Sequence, residues 1–350
     1  MEYVQPLYSH YHENGDVLDL AGDALLEMGD ALAYFDSDMF LVLDVVNNWR
    51  ASHQYPLNTF LQTLRNRAQS IEPKVEVTSR IKRRPAIEAK LNDRPDIKLS
   101  NMQDIGGCRA VFNSVESVYQ LVNKYKNSNF LHELEREQDY IELPRRTGYR
   151  SYHLVYQHYS RRWPIYDGMR IEIQVRSQLQ HLWATAVETA DAALGGRLKS
   201  GQGDLRWFRF FLLMSSAIAS REGRPRVPDA PRKSAALITE LRALSQDLAA
   251  VTMLRYFGRS IQVIGHLRVS GSRYVVLVLD PPNNTITLQT YAAHEAERAS
   301  KAYDEQEKNK PIGGDVLLVR ASDANAVRRG YRSFFRDTYE FVKLVEEVLS

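Results

Sequence analysis

The run Met102-Gln103-Asp104-Ile105-Gly106-Gly107-Cys108-Arg109-Ala110-Val111-Phe112 leaves the backbone few choices. Cys108, Ala110 and Phe112 alternate with Arg109 and Val111, the period of two expected of a buried strand. Gly106 and Gly107 remove two side chains where that strand begins, so the chain can turn there and approach a ligand closely. Asp104 stands just before the glycines and Arg109 just after. A carboxylate and a guanidinium so placed suit a site where a hard cation and a polyphosphate meet.

The 350 residues suffice for about two domains. A net charge of +3 says little about partners, so local clusters must carry that question. Cys108 is the single cysteine, which excludes a disulfide framework and a multi-cysteine zinc site and fits a reducing cytoplasm. Met1 to Pro6 has neither the basic start nor the apolar core of a signal peptide. The longest apolar run, Phe210 to Ala219, is too short to span a bilayer, so no membrane partner is expected.

Apolar spacing predicts helices over 15–33 and 38–51. Tyr55-Pro56-Leu57-Asn58 reads as a break, with Asn58 or Thr59 capping a helix over 59–71. A basic cluster follows, Arg80, Lys82, Arg83 and Arg84. Pro85 then opens a short helix carrying Lys90. Arg80 and Lys82, two apart in an extended lead-in, point the same way; with Lys90 they can grip a triphosphate from several sides. After the central strand come a helix near 114–126 and a charged span from Glu133 to Asp139. Pro144 and Gly148 bracket a loop that presents Arg145, Arg146, Tyr149 and Arg150, with Ser151 and His153 entering a strand over 154–159. An aromatic ring among arginines is suited to stacking a base and holding its phosphates.

In Met169–Arg176, Met169, Ile171, Ile173 and Val175 point one way and Arg170, Glu172, Gln174 and Arg176 the other. The second face predicts the floor of a wet, charged site. Glu172 can join Asp104 from a neighbouring strand, a pair able to hold Mg²⁺ with substrate phosphates and water. A helix over 178–190 follows, with His181 on a polar face.

Taken together, Arg80-x-Lys82 with Lys90, Asp104-Ile-Gly-Gly-Cys-Arg109, Gly148-Tyr149-Arg150-Ser151-x-His153 and Glu172-Ile-Gln174-Val-Arg176 resemble the synthetase domain of the RelA/SpoT family over about residues 55–195. The resemblance implies an α+β fold with a nucleotidyltransferase-like mixed sheet flanked by helices. It also implies transfer of pyrophosphate from ATP to a 3′-hydroxyl, with release of AMP. Arg80 and Arg109 would sandwich the adenine, and Lys82 and Lys90 would hold the phosphates. Asp104 and Glu172 would hold Mg²⁺, with Glu172 also orienting or deprotonating the attacking hydroxyl. Tyr149 would stack on the acceptor base, helped by Arg145, Arg150, Ser151 and His153.

There are departures. Ala86 stands where the family often has serine, and Arg145 where lysine is common. Trp183-Ala-Thr-Ala-Val-Glu188 matches neither the long nor the smallest members. No His-Asp dipeptide occurs, so the hydrolase domain of the bifunctional members is not expected. Tyr55-Pro56-Leu57-Asn58-Thr59-Phe60 and the Asp-Ile-Gly-Gly-Cys-Arg form look most like the toxic small synthetases, including the fused toxin–antitoxin type called CapRel. That resemblance implies the 3′ end of tRNA as acceptor, with GDP or GTP as the alternative. A non-enzymatic nucleotide- or RNA-binding module is a further alternative. Arg161, Arg162, Arg197 and Lys199 can extend a basic surface toward a nucleic-acid backbone.

The domains expected are N-terminal helices over 1–54, the synthetase over 55–220, a Pro-rich linker over 221–233, and a small α+β domain over 234–350. In the last, helices are expected over 234–254, 293–309 and 323–348. Strands are expected near 260–268, 273–280, 285–291 and 315–320. No catalytic constellation is apparent there. The expected role is regulatory, restraining the synthetase until a partner such as a phage protein binds, with Tyr291 to His294 and the Tyr331…Tyr339 face as candidate contacts.

Overall fold

The computed structural model describes residues 5, 15–28, 37–194, 198, 203–266, 274–280, 283, 285–311, 315–320 and 334–350. Arg197, Lys199, Tyr331 and the expected helical stretch 323–333 lie outside them. The chain divides into two compact units. The first comprises residues 1–140 and 151–177, the second 141–150 and 178–350.

The first unit begins with α1 (Gly15–Met28), α2 (Ser37–Ser52) and α3 (Gln54–Gln69). Pro56 does not break the chain there. It falls in the first turn of α3, where no intrahelical N–H is needed. Then come β1 (Glu76–Ile81), α4 (Arg84–Asp93), β2 (Gly106–Phe112), α5 (Val115–Lys126), β3 (Glu133–Asp139), β4 (Tyr152–Gln157) and β5 (Arg170–Ser177). The five strands form one sheet in the order β1-β2-β5-β4-β3. The β2–β5 pair is parallel and the others antiparallel, so the sheet is mixed as expected.

Register sorts the side chains of this sheet. Cys108, Ala110, Phe112, Ile171, Ile173, Val175 and Leu154 share the buried face. Phe60 and Leu64 of α3 and Val118 and Val122 of α5 are buried in the same unit. On the other face, Arg80, Gly107, Glu172 and Val155 form one cross-strand row, and Thr78, Arg109, Gln174, His153 and Gln138 the next. Arg176 departs from the wet floor expected of it, being only 1% exposed. The span 133–139 is an edge strand; its side chains, mostly charged on both faces, leave no apolar alternation to read.

The second unit contains α6 (Gln178–Ala193), α7 (Leu205–Arg221), α8 (Ser234–Asp247), α9 (Ala250–His266), β6 (Tyr274–Asp280), β7 (Thr285–Tyr291), α10 (Ala296–Lys308), β8 (Asp315–Arg320) and α11 (Phe334–Leu349). Its three strands pair antiparallel in the order β7-β6-β8. The strand expected near 260–268 is helical instead: α9 runs through to His266, with Ala250, Met253, Leu254 and Phe257 on one buried face. The single helix expected over 234–254 is two, because Ala249 takes a left-handed conformation (φ 44°) and turns the chain.

The expected boundary at 220 is not where this unit begins. Trp183, Ala186 and Ala190 of α6 and Phe210, Phe211 and Met214 of α7 share one core with Leu254 and Phe257 of α9 and with Phe341, Val342 and Val345 of α11. Among the described residues no helix is long and apolar enough to cross a membrane.

Candidate active site

In the first unit the sheet brings the expected phosphate and metal residues to one end. The β1 ladder continues one residue past Ile81, since Lys82 N–H donates to Ile105 O at 2.7 Å. That bond sets Lys82 beside the loop carrying Asp104. Pro85 stands in the first turn of α4, which projects Lys90 toward the same carboxylate. Lys82 Nζ lies 2.8 Å from Asp104 Oδ2 and Lys90 Nζ 2.8 Å from Asp104 Oδ1. Burial opposes ionisation of Asp104, but the two ammonium groups overcome it and hold the carboxyl down at about 2. Burial pulls Lys82 below the ordinary lysine value, partly offset by Asp104.

Glu172 sits two strands away in the sheet order from Arg80, in the same row as Gly107. His153 Nδ1–H donates to Glu172 Oε1 at 2.9 Å, and Gln174 Nε2 donates to Glu172 Oε2 at 2.6 Å. Burial pushes the Glu172 carboxyl up, yet these two hydrogen bonds leave it below the usual value. The Asp104 charge acts on it in the opposing sense, so the two acids lie within electrostatic reach. His153 was expected at the acceptor; the structure sets it against Glu172.

The two glycines differ in what requires them. A Cβ on Gly106 would lie 2.6 Å from Ile171 Cδ1 in the core. A Cβ on Gly107 would meet only the Glu172 carbonyl oxygen, at 3.8 Å. Among the described residues no other atom comes within 4 Å of that position, which lies in the row between Arg80 and Glu172. Among the described residues no three His, Cys, Asp or Glu gather as a metal cage. Two carboxylates beside open space fit a hard divalent cation completed by phosphate and water. Arg80 is exposed and Arg109 half-buried in the adjacent row of the same face, an arrangement able to flank a planar base.

Sequence reasoning missed Arg50 of α2, whose Nε donates to the Lys82 carbonyl at 2.8 Å. No local pattern could have pointed to it, because the contact spans thirty-two positions. Cys108 is buried and its thiol is pushed up by burial and by the Glu172 charge, so it is not a reactive group.

The second unit holds the loop Ile141–Arg150. Gly148 has φ 94°, and a Cβ there would lie 2.9 Å from Ser215 Cβ, so only glycine fits. Arg150 departs from the exposed role expected of it. It is 2% exposed and donates to Ile141 O, Pro225 O and Ser215 Oγ at 2.8, 2.7 and 3.1 Å. These bonds hold the loop rather than a ligand. Ser151, in the first unit, is likewise buried and donates to Val175 O at 3.1 Å. Tyr149 is half-buried, with the Arg145 guanidinium 5.7 Å from its ring centre. With Arg146, Trp183, Glu188, Phe208 and Leu212 they line a cavity of about 710 Å³ within this unit. His181, expected on a polar face, is buried with Nε2 3.2 Å from Asp337 Oδ2.

Residues 79–192 match the family model described as the region found in RelA / SpoT proteins. The chain is 29% identical over 85 residues to the GTP pyrophosphokinase YwaC of Bacillus subtilis, covering 24% of this chain and 40% of that protein. It is 28% identical over 124 residues to the GTP pyrophosphokinase YjbM of the same organism, covering 35% and 58%. The chain spans about half the length of the curated relatives it matches. Among solved structures, the small alarmone synthetase 1 from Bacillus subtilis bound to its product pppGpp aligns with a TM-score of 0.43 and 22% identity, over 49% of this chain and 89% of that one. The small alarmone synthetase 2 from Bacillus subtilis aligns with a TM-score of 0.44 and 19% identity, over 51% and 94%.

Proposed function

We propose that the chain is an ATP-dependent pyrophosphokinase that transfers the β,γ-pyrophosphoryl group of ATP to a nucleotide 3′-hydroxyl. The observation that carries this reading is the convergence of Lys82, Lys90, Asp104 and Glu172 at one end of one sheet, beside Gly107, which among the described residues has only a main-chain oxygen near its Cβ position. The acceptor oxygen bonds to the β-phosphorus, the bond from that phosphorus to the α,β-bridging oxygen breaks, and AMP leaves. Glu172 takes or orients the hydroxyl proton. Lys82 and Lys90 hold the phosphates, and Arg80 and Arg109 hold the adenine. Asp104 and Glu172 are the ligands for Mg²⁺, which when bound neutralises charge on the phosphates. Such a transfer rests mainly on positioning and charge neutralisation, which this set of groups supplies.

The acceptor base stacks on Tyr149, with Arg145 beside its phosphates. The favoured acceptor is the 3′ end of tRNA, in the cytoplasm, as the toxic small synthetases it resembles would have it. Blocking that end would stop translation, and residues 234–350 would restrain the activity until a trigger binds, as in phage defence. GDP or GTP is the second reading, favoured by the relatives named GTP pyrophosphokinase. Incubation with γ-labelled ATP and either tRNA or GDP separates the two. Label in tRNA is the expected result, label in GDP alone rejects that acceptor, and label in neither rejects the enzyme.

A further inference from the structure

We propose that Lys82 and Lys90 close Asp104 to a bare divalent cation, and that the polyphosphate of the nucleotide opens it. The inference rests on the ATP-binding reading above and adds an order of assembly to it.

The two carboxylates of the site are held by different kinds of donor. Glu172 accepts from a neutral amide, Gln174, and from the His153 ring. Asp104 accepts from two ammonium groups, one on each oxygen, both at 2.8 Å. Its side chain is 17% exposed, and those of Lys82 and Lys90 are 10% and 31% exposed. Charge-assisted contacts in so sheltered a place are not screened as surface pairs are. The resting Asp104 therefore already has its cations.

A bare Mg²⁺ at Asp104 must compete with an ammonium group on each oxygen, and any lysine it displaces is left partly buried without a counter-charge. Arg80 and Arg109, on the same sheet face, add to the positive potential it must cross. A polyphosphate reverses each of these terms. It is drawn by the same four cations, and it offers each lysine a new anionic partner as that lysine leaves Asp104. The carboxylate is then released at the moment the nucleotide arrives. Metal and nucleotide thus bind with positive coupling, and linkage requires each to strengthen the other by the same factor.

The test uses the full chain, Mn²⁺ as the probe, and α,β-methylene ATP as a nucleotide that does not react. Free Mn²⁺ is followed by electron paramagnetic resonance at pH 8. Without nucleotide, the wild-type chain is expected to take up no Mn²⁺ at concentrations where the Lys82→Met/Lys90→Met double variant takes up one ion. Asp104→Asn in that background should abolish the uptake. Lys90→Met alone, which alters the more exposed lysine, should give an intermediate affinity, with the fold checked by circular dichroism. With the analogue present, Mn²⁺ affinity of the wild-type site should rise roughly 5- to 150-fold. Equal Mn²⁺ binding by wild type and double variant without nucleotide would overturn the closure. If the analogue binds but leaves Mn²⁺ affinity unchanged, the coupling is wrong while the ATP reading stands. If the analogue does not bind at all, the ATP reading itself is wrong.

Discussion

His153 and Glu172 stand on adjacent antiparallel strands with Nδ1 and Oε1 2.9 Å apart. Burial alone would make Glu172 a weak acid, and His153 heads the contacts that reverse this. The carboxylate must be ionised to accept a proton, so the reaction works above the Glu172 pKa. Removing the imidazole leaves burial and the Asp104 charge unopposed except by Gln174, and both push the pKa upward. In His153→Ala the acid limb of kcat/KM against pH should therefore move to higher pH, while ATP binding holds. A profile superimposable on the wild type would show that His153 does not tune Glu172.

Gly106 and Gly107 are neighbours in sequence with opposite reasons for being glycine. Gly106→Ala drives a methyl against Ile171 in the core, and overpacking of this kind costs about 1–3 kcal/mol. Among the described residues Gly107→Ala meets only a carbonyl oxygen at van der Waals distance, and alanine loses less chain entropy than glycine on folding. Thermal melts should show a loss for the first and none for the second. ATP affinity should show the reverse, because only the second methyl projects from the open row between Arg80 and Glu172. A Gly107→Ala chain that binds ATP normally would mean that the space above this residue is not the nucleotide's.

The residues of this site were legible because β2 and β5 are buried strands whose alternation fixes which side chains share a face. Alternation puts Arg109 on one face of β2 and Glu172 on one face of β5, and the resemblance to the RelA/SpoT synthetase domain groups them with Asp104. What the pattern could not give is how the charges are spent. Arg150 and Ser151 read as acceptor contacts because they flank Tyr149, yet both are buried and bonded to main-chain oxygens. Alternation also fails at a sheet edge, as in β3, and in α9, where isoleucine and valine near the end of a long helix mimic a strand. Long-range contacts such as Arg50 to the Lys82 carbonyl leave no trace in local spacing.

A chain cut at residue 232 should not behave as a released synthetase. The Pro-rich stretch 221–233 looks like a linker, but the helices on either side of it share a core. Trp207 of α7 packs at a tilt against Phe257 of α9 at 5.5 Å between ring centres, and Phe211 stacks against Phe341 of α11 at 6.1 Å. Removing α8 to α11 would expose Trp207 and Phe211 together with buried Ala186 and Ala190. Large apolar patches so exposed lead to aggregation. The truncated chain is expected in the insoluble fraction or as oligomers by size-exclusion chromatography. A soluble monomer that melts cooperatively would show instead that the boundary near 220 is a true domain boundary.

Acid should loosen the first unit through His53, at the joint between α2 and α3. The ring is fully buried; its Nδ1–H donates to Trp49 O at 2.7 Å, while Nε2 has no partner among the described residues. A proton on Nε2 would add a buried donor with nothing to accept from it. Burial lowers the pKa from 6.5 to about 4, with Arg170 adding to it and the Trp49 carbonyl opposing. The unfolded chain therefore binds this proton between pH 6.5 and 4 and the folded chain does not. Stability from the neutral ring is complete above pH 6.5 and is lost as pH falls toward 4, about 2 kcal/mol of it by pH 5. Urea titrations at pH 7 and pH 5 measure this directly. His53→Gln cannot take up the proton, so it should destabilise the chain at pH 7 through lost packing and yet lose less on going to pH 5 than the wild type does. If both chains fell by the same amount between the two pH values, the acid sensitivity would have to lie elsewhere, with His132, whose pKa is also lowered to about 4, the next residue to substitute.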